Sequence, residues 1–192
     1  MAHLSFLGVP LHQGADQYGT IMGPDALRAA GLMHNLSALG HSICDLGDIA
    51  QPPRPRLDHP RNHVVQNLGA VQAWIEAIRG RVEAIAPQDV PIFAGGDHAL
   101  SAGTISAMSQ RAQAASRPLF VLWLDAHPDF HTLETTSTGK LHGTPMAYLT
   151  GEPGFEDGFP PMDHPVPCDH VMMVGLRSVD PAERARLAAR RL

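Results

Sequence analysis

Short apolar runs rich in β-branched residues alternate along this chain with longer stretches of helical period. That alternation confines it to βαβ units and a mainly parallel sheet. Strand-like runs fall at 4–9, 41–49, 90–94, 119–124 and 170–176, and helical patterns at 24–39, 63–85, 99–115 and 181–192. Pro24 suits the first turn of its helix, and Val64, Leu68, Val71, Ile75 and Ile78 recur at the spacing of one apolar face. The run 119–124 is apolar on both alternating sides, which predicts a fully buried strand. Residues 51–62 hold four prolines and read as a surface loop, and 151–168 is a second loop rich in Pro and Gly. Trp74 and Trp123 read as core residues. At 192 residues without internal repeats, the expectation is a single domain, 1–192, large enough to bury a core.

Hydrophobic residues make up 44% of the chain and charged residues 17%, the balance of a globular protein and not of a disordered one. A net charge of -5 argues against nucleic acid or an anionic membrane as partner. No apolar run approaches the ~20 residues of a membrane span, and the first residues, Met-Ala-His-Leu-Ser, lack the basic start of a signal peptide. Cys44 and Cys168 are the two cysteines. They predict buried, reduced thiols in a cytoplasmic protein more readily than a disulfide framework. Twelve histidines against two tyrosines point towards metal chemistry without locating it.

Location comes from two strand ends. Gly95-Gly96-Asp97-His98 and Asp125-Ala126-His127-Pro128-Asp129 both follow predicted strands at their carboxyl ends, where open parallel sheets collect ligands. Asp125, His127 and Asp129 alternate, so an extended chain would turn all three side chains the same way. Such a group loses solvation and repels itself unless a cation neutralises it. Mixed carboxylate and imidazole donors suit manganese, zinc or iron better than calcium. Read alone, the pattern also fits a chance arrangement in a solvated loop, and His98 a hydrogen-bonded loop histidine. The spacing around Asp163, Cys168 and His170 matches no structural zinc pattern. Arg184, Arg186, Arg190 and Arg191 read as a solvated helix face.

Taken with Leu141-His142-Gly143, the two motifs stand in the same order as in the arginase and agmatinase (ureohydrolase) family, which this chain resembles over nearly all its length. Gly8-Val9-Pro10-Leu11 through Gly23-Pro24 and Leu27-Arg28-Ala29-Ala30-Gly31-Leu32 look more like arginase, bacterial arginase in particular, than agmatinase. Gly175-Leu176-Arg177-Ser178-Val179-Asp180-Pro181 is similar to a later arginase segment. The resemblance implies a three-layer α/β sandwich of the arginase–deacetylase type with a mainly parallel sheet. It implies two manganese ions, one held by His98, Asp125 and Asp129, the other by a bridging Asp125 and His127. It implies a metal-bridged hydroxide that hydrolyses a guanidino compound, with Asp129 accepting a proton and His142 shuttling one. L-arginine, yielding ornithine and urea, is the lead substrate, with agmatine or another guanidino acid as alternatives. A homo-oligomer in the cytoplasm belongs to the same implication.

Two departures qualify it. The family's later Ser-x-Asp-x-Asp strand has no counterpart, and the chain ends one helix after the fifth predicted strand. The expectation is a domain incomplete at its C-terminus, binding fewer than two ions and releasing little urea by itself. A catalytically dead, metal-depleted homologue or fragment acting as a binding or regulatory subunit is the rival expectation. At the substrate-gripping positions, where arginases use Asn, Ser and Asn, this chain has His131, Thr138 and Lys140. Lys140 reads either as an ordinary solvated lysine or as a cation that selects a substrate carboxylate.

Overall fold

The computed structural model describes residues 1–192. Its five strands are all parallel, in two groups. β1 (His3–Val9) lies between β2 (Ser42–Asp48) and β3 (Val90–Gly95), while β4 (Val121–Leu124) pairs with β5 (Val171–Val174). Leu7 sits opposite Phe93 in the first sheet and Leu124 opposite Val174 in the second. The α/β class and parallel pairing match the alternation in the sequence, but the strands form two separate sheets instead of one.

The helices are α1 (Gly23–Ala29), α2 (Leu32–Ala38), α3 (Leu68–Glu83), α4 (Leu100–Ala114), α5 (Pro145–Leu149) and α6 (Pro181–Arg190). The single helix expected over 24–39 is divided because Gly31 takes a left-handed backbone, φ 81°, which stops helical hydrogen bonding. The helix expected from 63 starts five residues later, after Asn67, which is also left-handed at φ 53°. Val64 therefore lies outside it and is exposed, while Leu68, Val71, Ile75 and Ile78 are buried as the apolar face predicted. The sequence showed no sign of α5. All five of its residues are buried, so it has no polar face and no period to detect.

Three burial expectations need correcting. The strand read as fully buried buries only Trp123; Leu122 and Leu124 are 60% and 70% exposed. Cys44 is exposed on β2, and Cys168 is half-buried; both are free thiols. The loop at 51–62 lies partly inside, because His59 is buried and its Nδ1 accepts the backbone N–H groups of Arg61 and Asn62. No helix is long and apolar enough to cross a membrane.

The main core lies where α3 meets α4. Trp74, Ile75 and Ile78 are buried there, each contributing about 1.5–3 kcal/mol by leaving water. The Trp74 indole N–H donates to Gln13 Oε1 at 3.0 Å, which ties the loop after β1 to α3. Gly103 of α4 has no side chain at the contact. A Cβ there would stand 2.8 Å from Ile78 Cβ, at a point where no side-chain rotation can relieve it. Gly103→Ala should therefore destabilise the chain by about 1–3 kcal/mol despite the gain in helix propensity. Ile78→Ala keeps the Cβ contact but removes those of Cδ1 and Cγ2 at 2.9 and 3.0 Å, so the two changes together should cost less than the sum of each alone. Urea denaturation of both single variants and the pair reads the coupling, and additive effects would mean the two helices do not meet as described.

Candidate metal centre

β3 and β4 belong to different sheets, yet their carboxyl ends meet. His98, three residues past β3, stacks on Trp123 of β4 with ring centroids 4.3 Å apart. Its Nδ1 lies 2.9 Å from Asp125 Oδ2 and 2.9 Å from Asp129 Oδ2. One ligand atom from each of these three residues falls within 4.8 Å of the other two.

The loop from Asp125 to Asp129 reaches this arrangement by turns and not by strand alternation. The His127 backbone N–H donates to Asp125 Oδ1 at 3.0 Å, closing a turn on the aspartate side chain. Asp129 has a left-handed backbone, φ 48°. A non-glycine residue spends about 1–2 kcal/mol in that region, and such strain gathers at functional sites. It swings the Asp129 carboxylate towards His98 and leaves His127 outside. His127 is mostly exposed, with Nδ1 3.5 Å from the other oxygen of Asp125. Of the four expected ligands, the structure brings three together and leaves His127 beside them.

The donor set suits a divalent cation. Asp129 is buried, and its Oδ2 receives no hydrogen bond despite its closeness to His98. A buried carboxylate oxygen without a donor costs a few kcal/mol unless positive charge approaches it. Burial opposes charge on His98, but the Asp129 carboxylate, then Asp125 and Asp97, outweigh it and raise its pKa above the ordinary 6.5. Burial also opposes charge on Asp125, yet the His127 N–H and the charges of His98 and His127 hold it below the usual 3.8.

Asp129 also opens onto a pocket of about 370 Å³ lined without a single hydrophobic side chain. Its walls include His131, Thr138, Lys140 and His142, the other residues singled out in the sequence. The stretch carrying Thr138 and Lys140 is fastened from behind. Gln66 Nε2 donates to Thr138 O, Asn62 Nδ2 donates to Thr136 O, and Gly139 comes so near Val64 that any Cβ would overlap its carbonyl. His142 donates from its backbone N–H and from Nδ1 to Gly14 O, at 3.2 and 3.1 Å. A carbonyl cannot donate, so Nδ1 carries the proton.

Ser178, Asp180 and Glu183 also line the pocket, and no feature of the sequence assigned them to it. They arrive because the Arg177 and Ser178 N–H groups both bond Ala126 O, clasping the loop after β5 onto the loop after β4. Asp180 and Glu183 form the capping box of α6. That pattern is legible as a helix start, but not as a pocket wall. Buried Glu183 accepts the Phe130 N–H at 2.9 Å, and His131 Nε2 lies 3.1 Å from Asp180 Oδ2. Two of the four terminal arginines are also engaged: Arg186 and Arg190 both pair with buried Glu152.

The family model described as "Arginase family" matches residues 2–191. The arginase of Brucella melitensis is 50% identical over 182 residues, covering 95% of this chain and 59% of its own. That of Agrobacterium fabrum is 50% identical over 183 residues, covering 95% and 56%. The crystal structure of arginase from Bacillus subtilis superposes with a TM-score of 0.80 at 32% identity, covering 100% of this chain and 63% of that one. The chain thus spans less than two thirds of the length of the relatives it matches.

Cation binding must displace any proton on His98 Nδ1. Because the pKa of His98 is raised, affinity for a divalent cation should fall by up to about tenfold per pH unit below that raised value. Without the cation the sign reverses. The protonated His98 stabilises the fold fully below pH 6.5 and ceases to as pH rises through its raised folded value. Titration calorimetry for the cation, and the Tm difference between the cation-free chain and its His98→Asn variant across pH 6 to 9, read both slopes. A Tm difference that grows with pH would contradict the assignment.

Proposed function

The chain belongs to the arginase family, and on that premise we propose that its polar pocket binds a guanidino compound for hydrolysis, with L-arginine as substrate. The observation that carries this reading is the meeting of three features in one place: a cation-fitting cluster, a pocket lined only by polar groups, and a histidine whose Nε2 is free. Manganese is the proposed metal, held by His98, Asp125 and Asp129, with His127 adjoining through Asp125. A divalent cation there supplies Lewis acidity and brings the pKa of a water towards neutrality.

The remaining work falls to side chains. Hydrolysis adds a water oxygen to the guanidinium carbon and breaks one carbon–nitrogen bond, giving urea and an amine. The Asp129 carboxylate, at the pocket wall, accepts the O–H of the attacking water. The departing amine needs a proton, and His142 supplies it from Nε2 after that nitrogen has taken one up from solvent, since the Nδ1 proton is committed to Gly14 O.

Recognition of the amino-acid end follows from charge. Lys140 is the only lysine or arginine lining the pocket, and Ser137 and Thr138 beside it offer hydroxyls to a carboxylate. Asp180 and Glu183 supply the anionic lining that an α-ammonium group needs. His131 Nε2 is engaged with Asp180, so its contribution is to hold that carboxylate in place. A homo-oligomer in the cytoplasm is part of the same proposal and rests on the family resemblance.

Agmatine carries the guanidino group without the carboxylate, so it isolates the part played by Lys140. In the manganese-loaded chain, L-arginine should bind more tightly than agmatine by roughly ten- to a hundredfold, the weight of one partly desolvated ion pair. Lys140→Asn should bring the two affinities together. Calorimetric Kd values for both compounds, with urea release followed alongside, check this. Unchanged ratios would remove Lys140 from recognition. Binding without urea release would favour the rival reading, a binding or regulatory subunit, and binding of neither compound would remove both readings.

A further inference from the structure

Asp97 precedes His98 in the chain but is not one of the three clustered residues. It is buried, and both its oxygens are taken by backbone. Oδ1 accepts the Ala99 N–H at 2.9 Å, at the start of α4, and Oδ2 accepts the Ala15 N–H at 2.8 Å, 82 residues distant in sequence. Burial pushes its pKa up, against the pull of those N–H groups and of the charge on His142. A neutral acceptor could cap α4 and hold a loop, so a buried carboxylate needs a further reason to be there.

The Ala15 N–H and the Gly14 carbonyl are the two ends of one peptide unit. Asp97 binds its N–H end and His142 binds its carbonyl end, with both the backbone N–H and Nδ1 of His142 aimed at the same oxygen. We propose that Asp97 is a positioning residue for His142, acting through the Gly14–Ala15 peptide to hold the imidazole with its proton on Nδ1 and its Nε2 towards the pocket.

The physical basis is polarisation along a hydrogen-bonded chain. An anion accepting from a peptide N–H pushes electron density onto the carbonyl at the other end, making that oxygen a stronger acceptor. The stronger acceptor binds the Nδ1–H of His142, and Nε2 is left as the site that gains or yields a proton. This is the service a carboxylate performs when it bonds a catalytic imidazole directly, delivered here through one intervening peptide. Residue 14 has to be glycine for the relay to close, because a Cβ there would lie 2.5 Å from Asp97 Oδ1. The arrangement deepens the reading of His142 as the proton donor. It specifies an imidazole geometry that can be observed without turnover.

The test is the tautomer of His142 in the metal-free chain, read from imidazole 15N chemical shifts at a pH where the ring is neutral. The resonances are assigned by their loss in His142→Asn. The wild type should show the Nδ1–H form predominating, although free imidazole side chains favour Nε2–H. Asp97→Asn removes the charge, and the ratio should shift towards Nε2–H on the order of tenfold, the weight of a charge-assisted hydrogen bond. A wild-type ring in the Nε2–H form would overturn the proposal with no variant needed, so an Asp97→Asn chain that failed to fold would not shelter it. A folded Asp97→Asn chain with an unchanged ratio would also overturn it, since a purely structural anchor leaves the tautomer alone. If the chain released no urea, the functional reading would suffer, and the tautomer result would stand by itself.

Discussion

Two carboxylates and an imidazole, drawn together within 4.8 Å, are the constraint around which the rest of this structure is arranged. They join the ends of two sheets that share no backbone ladder. Apolar contact alone would not choose this register between the sheets, because dispersion and hydrophobic burial are indifferent to direction. The polar cluster is directional. It also demands a positive charge, since Asp129 Oδ2 is buried without a donor, and a protonated His98 can meet that demand only by occupying the position of a ligand. A cation bound at this cluster would therefore couple to local stability through one imidazole.

Around the cluster, the loops are fastened by buried carboxylates acting on backbone. Asp97 binds Ala15 and Ala99, and Glu183 binds Phe130 and Asp180. Glu152 does the comparable job with Arg186 and Arg190, fixing the end of α6. A carboxylate that accepts charge-assisted bonds is costly to strip of its partners, which makes each clamp all-or-none. The pocket walls come from two stretches of mostly irregular chain, 127–143 and 178–183, so such clamps give them the rigidity that regular structure gives strands. The geometry of His142 follows the same logic at one remove, with a peptide between the clamp and the ring.

Much of this was legible in the residues. The alternation of apolar runs identified every strand, and the spacing of Leu68, Val71, Ile75 and Ile78 identified the buried face of α3, because burial on one side imposes a period. The motifs at 95–98, 125–129 and 141–143 marked the site before any coordinates. The misses have physical causes. Gly31 and Asn67 reset helix boundaries through left-handed backbone, a choice their neighbours make for them. Leu122 and Leu124 are as apolar as core residues yet exposed, since what covers a strand is decided by other elements. The α5 helix had no pattern because its whole surface is buried.

The sequence by itself determined the α/β class, the family and the identity of the candidate ligating groups, because these depend on local periodicity and on which side chains carry nitrogen or oxygen donors. Only the tertiary structure decided how those groups are used. It drew His98, Asp125 and Asp129 into one cluster, set His127 aside, and brought Asp180 and Glu183 into the pocket. It also placed Asp97 and His142 on opposite ends of one peptide. The reason is that ligand geometry depends on distances between residues far apart in the chain. Those distances are set by the packing of whole elements and by single left-handed residues such as Asp129, and neither leaves a periodic trace in the order of the amino acids.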